Sequence, residues 1–277
     1  MMTFYKYQGA GNDFLIADNR SGHLQLSAEQ ISALCDRRYG VGADGLMLLE
    51  SSAEYDFRMV YYNSDGSGGM MCGNGGRCMV AFAADCGIEC YDFEAADGFH
   101  TAQILASEGA QKTVRLKMKD VASIDHYDAL DGTSVPSNGS FLDTGTRHYV
   151  RFVSDLDAYD IVSEGRDIRY NALPLQPVGA NVNYVEPYDG GVKVRTYEKG
   201  VEDETFACGT GIVASCVASY VKGVRPSHVD DEGRVRYDVM AKRDRLSVDF
   251  IPSESLVAED VWLTGPATFV AEINVKI

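Results

Sequence analysis

Positive charge is in short supply: 25 lysines and arginines stand against 41 aspartates and glutamates, a formal net charge of −16. Nucleic acids and anionic membranes are gripped by clustered Lys and Arg, so neither partner fits this chain. Long apolar runs are missing as well. None approaches the ~20 residues that span a bilayer, and Met1-Met2-Thr3-Phe4-Tyr5-Lys6 has neither the basic region nor the apolar stretch of a secretory signal. Histidine is sparse, and His23, His100, His126 and His228 are scattered, so no metal site is expected. The 7 cysteines are odd in number, unevenly spaced and without a Cys-x-x-Cys pair, which argues against a disulfide framework or a zinc ribbon. The chain reads as a reduced, cytoplasmic protein.

What is present is a device that occurs twice. Cys72-Gly73-Asn74-Gly75 precedes the apolar run through Val80, Ala81 and Phe82, and Cys208-Gly209-Thr210-Gly211 precedes Ile212, Val213 and Ala214. Each is a thiol ahead of a glycine turn that opens an almost wholly apolar helix. A helix N-terminus carries unpaired N–H groups and partial positive charge, so it favours a thiolate and can also hold a carboxylate. The surroundings repeat too. Asn12 and His148 each lie 60 residues ahead of their thiol (72 − 12 and 208 − 148), and Asn63 and Glu198 lie 9 and 10 ahead (72 − 63 and 208 − 198). Self-similarity at more than one position is an architectural signal.

The 277 residues, 45% of them hydrophobic, suffice for one large domain or two moderate ones. Short alternating stretches mark strands at 4–7, 14–17, 55–63, 101–105 and 113–118 in the first half, and at 149–153, 182–185, 192–197, 246–251, 261–263 and 268–277 in the second. Ser27 to Gln30 is a capping-box pattern opening a helix with Ile31, Leu34 and Cys35 on one side. The two thiol helices, about 74–85 and 210–222, lack a polar face and must be buried. The expected fold is α+β, in two pseudo-symmetric halves. Each is a curved, mainly antiparallel, barrel-like sheet around one central helix, with the active site in the cleft between them. Residues 120–139 are the best boundary, dividing residues 1–119 from 120–264. Cys35, Cys78, Cys86, Cys90 and Cys216 read as small buried hydrophobes.

Inverting an amino-acid α-carbon needs one deprotonated and one protonated group on opposite faces, exchanging states each turnover. Two thiols near their pKa suit this. The N–H groups of Gly73, Asn74, Gly209 and Thr210 could bind the substrate carboxylate and the charge that develops on it. His148 and Glu198 could set which thiol is ionised, or orient the substrate ammonium.

Gly9-Ala10-Gly11-Asn12-Asp13-Phe14, Gly42-Ala43-Asp44-Gly45-Leu46, Asn63-Ser64-Asp65-Gly66-Ser67, Met71-Cys72-Gly73-Asn74-Gly75, Asn181-Val182, Tyr197-Glu198 and Ala207-Cys208-Gly209-Thr210-Gly211 run over nearly the whole chain. Together they resemble the diaminopimelate epimerase family. The resemblance implies interconversion of LL- and meso-2,6-diaminopimelate with no cofactor, neither pyridoxal phosphate nor metal, in lysine and peptidoglycan precursor synthesis. It implies Cys72 and Cys208 as the acid/base pair, with His148 and Glu198 beside them. Asn12, Asn63, Asn181 and the Glu198 region would hold the substrate's two ends. It further implies a final strand, 265–277, returning to the first half, and a homodimer. Two departures stand out: Thr146-Arg147 where the family often has Asn-Pro, which makes Thr146 a doubtful contact, and Lys199 where it usually has arginine, which would leave the distal carboxylate a point charge instead of a fork.

Three rivals make different demands. A proline or hydroxyproline racemase would share the paired thiols. A Cys-His hydrolase would use one thiol as nucleophile and His148 as base. A redox sensor would switch by pairing Cys72 with Cys208.

Overall fold

The structure is a computed structural model that describes residues 1–69, 71–135 and 138–276. It divides into two compact units, Met1–Lys117 with Thr264–Ile277, and Met118–Leu263.

In the first unit, β1 (Met2–Gly9) and β2 (Asn12–Asp18) form a hairpin closed by Ala10 and Gly11, both at positive φ (52° and 90°). That is the two-residue turn whose twist matches paired strands. Helix α1 (Ala28–Cys35) starts on the Ser27 capping box, with Ile31, Leu34 and Cys35 buried. β3 (Gly45–Glu50) and β4 (Phe57–Asn63) lead to α2 (Gly73–Asp85), followed by β5 (Asp92–Ala95), β6 (Gly98–Glu108) and β7 (Gln111–Lys117). Each strand pairs with the next, parallel at β2–β3 and β4–β5 and antiparallel elsewhere. Residues 265–275 of the chain's last strand bond β7 on one side and β1 on the other. The ring of eight strands is thereby closed, and no edge is left to aggregate. Helix α2 packs against β1, β2, β3, β6 and β7 from inside the ring, which is why residues 73 to 83 are all buried.

The second unit repeats the plan. β8 (Ile124–Tyr127) and β9 (Gly139–Asp143) precede β10 (Arg147–Phe152), α3 (Ile161–Asn171), β11 (Asn181–Tyr188) and β12 (Gly191–Glu198). The short β13 (Asp203–Thr205) borders β12, and α4 (Gly209–Val221) follows. β14 (His228–Val229), β15 (Val235–Met240) and β16 (Arg245–Pro252) come next. Residues 258–263 of β17 (Ala258–Val275) run beside Met118 and Val121, whose N–H groups donate to Val261 and Ala258. The order of pairings from β9 to β16 is antiparallel, parallel, antiparallel, parallel, antiparallel. That is the order from β1 to β6, so the halves are pseudo-symmetric and the fold is α+β as expected. Helix α4 packs on β9, β10, β11, β12 and β16, and ten of its residues are buried.

The sequence reading did not expect β3, β8, β9, β13, β14 or β15, and three further details differ from it. The strands expected at 261–263 and 268–277 are one 18-residue strand, with Ile277 outside the described residues. Gly265-Pro266 does not break it, because proline tolerates extended backbone where its missing donor is not needed. Helix α3 was hidden by Gly165 and a charged face. Glycine is required there, since a Cβ would lie 2.5 Å from the Tyr197 side chain. Finally, Cys35, Cys78 and Cys216 are buried, but Cys86 is only half-buried and Cys90 is exposed, both beyond the end of the α2 core.

Candidate active site

Cys72 is the N-cap of α2 and Cys208 the N-cap of α4, both with extended backbone (φ −109° and −101°) and neither spending its side chain on the cap. Ordinary caps use an oxygen to satisfy the first helical N–H groups. Here the cap side chain is a thiol, and Gly73, Asn74, Gly209 and Thr210 make up the first helical turns behind it. Cys72 is half-buried and Cys208 is 8% exposed.

Around Cys72 the side chains form a charged lattice. Asn74 Nδ2 donates to Asn12 Oδ1 (2.8 Å), and Asn12 Nδ2 donates to Asp44 Oδ2 (2.7 Å). Arg37 bridges Asp13 and Asp44, and Lys6 pairs with Asp13 at 2.6 Å. Burial alone would raise the Asp13 carboxyl, but Arg37 and Lys6 overcome it and hold the group down to about 2. Arg77, one turn into α2, is fully buried and donates to Asn74 Oδ1 (2.8 Å), Gly73 O (3.3 Å) and Pro266 O (3.4 Å). A buried guanidinium is tolerable only when its donors are used in this way. Asn63, the last residue of β4, donates from Nδ2 to Ser67 Oγ (3.0 Å).

Around Cys208 the network runs through hydroxyls, an amide and an imidazole. Thr210 Oγ1 lies 3.5 Å from Cys208 Sγ, 2.9 Å from His148 Nε2 and 3.0 Å from Thr146 Oγ1, and Thr146 Oγ1 is 2.9 Å from His148 Nε2. Thr144 Oγ1 donates to Thr210 O (3.0 Å). His148 is fully buried, and burial pushes its pKa down to about 3. Asn183 Nδ2 approaches His148 Nδ1 at 3.0 Å and donates to Tyr149 O at 3.3 Å, while Thr196 Oγ1 donates to Asn183 Oδ1 (2.9 Å). Asn183 is buried against the start of α4, where a Cβ on Gly211 would come within 2.2 Å of its Oδ1. A neutral imidazole whose Nδ1 accepts a hydrogen bond carries its proton on Nε2. It is then a donor toward the hydroxyls, which removes the base that the hydrolase reading needs.

Among the remaining expected residues, Asn181 pairs across to His148 in the β10–β11 register. Its Nδ2 donates to Arg147 O (3.1 Å), and its Oδ1 accepts the Lys199 N–H (2.8 Å). Glu198 ends β12 half-buried, and Lys199 next to it is exposed. Asn63 ends β4 and Glu198 ends β12, with the short β13 lying between Glu198 and α4. Thr146 joins the network through its hydroxyl, next to another hydroxyl and a ring nitrogen. Sequence reading passed over Asn183, Thr144 and the lattice formed by Asp13, Arg37 and Asp44. Asn183 had a signal: a polar residue two positions from Asn181, flanked by Val182, Tyr184 and Val185.

The family model for diaminopimelate epimerase matches residues 4–119. A protein named diaminopimelate epimerase from Flavobacterium psychrophilum is 41% identical, the match covering 99% of this chain and 100% of that protein. One of the same name from Chlorobaculum tepidum is 43% identical over 94% of this chain and 95% of the relative. Among solved structures, a probable proline racemase from Agrobacterium radiobacter superposes with a TM-score of 0.71 at 15% identity, covering all of this chain and 93% of the other. That likeness concerns the fold.

Proposed function

Because this chain belongs to the diaminopimelate epimerase family, and is therefore an isomerase-class amino-acid epimerase, we propose that it interconverts LL- and meso-2,6-diaminopimelate by a two-base thiol mechanism. The observation that carries the reading is the pair of half-buried and buried cysteines capping two equivalent buried helices with side chains not spent on the caps. In this mechanism Cys72 serves one face of the substrate α-carbon and Cys208 the other. One thiolate takes the α-proton, and the C–H electron pair spreads into the carboxylate. The other thiol then delivers its proton to the opposite face, so the sulfurs end with exchanged charge. The first-turn N–H groups of Gly73, Asn74, Gly209 and Thr210 bind the carboxylate, and they hold it more tightly as negative charge develops.

Asn12, Asn63 and Asn181 each have one side-chain N–H engaged within the described residues. An amide carries two, so a second donor remains for the substrate. Glu198 faces an ammonium group and Lys199 the distal carboxylate. His148 acts beside Cys208 through the hydroxyls. Neither metal nor pyridoxal phosphate is required, because the thiols and N–H groups supply both proton transfer and charge stabilisation. Kinship with the family supports a cytoplasmic homodimer serving lysine and peptidoglycan precursor synthesis.

The test is incubation with LL-diaminopimelate in heavy water, under reducing conditions and without added cofactor. Deuterium should enter at the inverted α-carbon, and Cys72→Ala and Cys208→Ala should each abolish it. Turnover surviving either substitution rejects the two-base mechanism; racemisation of proline but not diaminopimelate rejects the substrate.

A further inference from the structure

The hydrogen-bond chain around Cys208 has a direction, and one buried amide outside the expected site sets it. We propose that Asn183 is a positioning residue that makes His148 a fixed proton donor, so that the chain His148, Thr146, Thr210 points its hydrogens at the Cys208 sulfur. This rests on the reading of Cys208 as an acid/base thiol.

The argument starts from the amide. The Tyr149 carbonyl can only accept, so the group 3.3 Å from it is the Asn183 NH2. The same nitrogen is 3.0 Å from His148 Nδ1, which must then accept. Thr196 at Asn183 Oδ1 fixes the amide from its other side. A ring whose Nδ1 accepts carries its one proton on Nε2, which is 2.9 Å from both Thr146 Oγ1 and Thr210 Oγ1.

The direction we assign uses each hydrogen once: Nε2–H donates to Thr146 Oγ1, the Thr146 hydroxyl to Thr210 Oγ1 at 3.0 Å, and the Thr210 hydroxyl to Cys208 Sγ at 3.5 Å. Every member donates once, and the chain ends on sulfur, which favours the thiolate. With the proton on Nδ1 instead, Nε2 would become an acceptor and the chain would run the other way, from a protonated thiol toward the ring. The hydroxyls reach Thr210 because the β9–β10 turn contributes both Thr144 and Thr146. The corresponding β1–β2 turn is Ala10-Gly11 and contributes none.

Asn183→Asp tests the proposal with nearly unchanged shape. A carboxylate accepts from Nδ1–H, so the variant inverts the chain. The reactivity of each cysteine toward iodoacetamide is read peptide by peptide, with Cys72 as the control in the same sample. Capture of Cys208 should slow about tenfold, the loss of roughly one hydrogen bond to a charged group, while Cys72 stays within about twofold. Equal rates at Cys208 in variant and wild type overturn the proposal, as does equal slowing of both cysteines. The wild-type protein supplies a second measurement that needs no variant. The 15N shifts of the His148 ring should report a neutral imidazole with its hydrogen on Nε2, and a charged ring or an Nδ1–H tautomer overturns the assignment. Neither readout uses diaminopimelate, so failure here is distinct from failure of the epimerase reading.

Discussion

The two thiol helices do the same structural job in opposite chemical surroundings. The start of α2 is bound into charges, with Arg77 beneath it and Asn12 tied to Asp44, Arg37 and Asp13 beside it. The start of α4 sits among hydroxyls, amides and an uncharged imidazole. The contacts nevertheless correspond. Asn74 meets Asn12 at 2.8 Å in one half, and Thr210 meets His148 at 2.9 Å in the other, four residues that stand at equal distances from their thiols. Where α2 has Arg77, five positions after its thiol, α4 has Val213. The duplicated scaffold preserved where the side chains meet and let their charge diverge. In the proposed mechanism the two sulfurs alternate between acid and base, and different surroundings are what would tell them apart at rest.

The comparison can be broken in several places. The largest effect falls on the sulfurs themselves: Cys72→Ala or Cys208→Ala should each cost about three orders of magnitude or more in kcat, the range of a lost acid or base. A half-active single variant would mean that only one half does chemistry. Next is the cation without a counterpart. Arg77→Val copies the second half into the first and strands the Asn74, Gly73 and Pro266 oxygens, costing about 3 kcal/mol in urea unfolding. An unchanged midpoint would show that water replaces the guanidinium.

The glycine pair sharpens the contrast. Gly211→Ala drives a methyl to 2.2 Å from Asn183 Oδ1, and should lose about 2 kcal/mol. At the equivalent Gly75 the nearest atom is Met47 Sδ at 3.2 Å, so Gly75→Ala should change stability by less than about 1 kcal/mol, flexible methionine giving way while helix propensity improves. The smallest effects appear on acidification. His148 is held neutral, with its pKa lowered to about 3. The unfolded chain therefore binds the extra proton first, and stability should decline as pH falls from about 6.5 toward 3. His148→Gln should flatten that limb. Asp13, held at about 2, contributes above the ordinary carboxylate range and loses its contribution as pH falls from about 4 toward 2. Asp13→Asn should remove that lower step and leave the upper one. The same step in both proteins would dismiss the lattice as a source of stability.

Much of this was legible in advance, for local reasons. A glycine turn opening an apolar helix is a property of adjacent residues, and so are a capping box and an alternating strand. The two thiol helices, α1 and most strands could therefore be read directly, and the repeat followed from comparing positions along the chain. Helix α3 escaped because Gly165 answers to Tyr197, a residue 32 positions away (197 − 165). Asn183 escaped because an asparagine in a strand looks like a weak strand residue until the ring beneath it is known.

By itself, then, the sequence determined the two buried helices, their capping thiols and the duplication, because hydrophobic pattern and turn chemistry act between near neighbours. Only the tertiary structure decided the charge around each thiol and the side of His148 that bears the proton. Those depend on which amides and carboxylates from distant segments join the hydrogen-bond network beside each helix start, and strand pairing settles that.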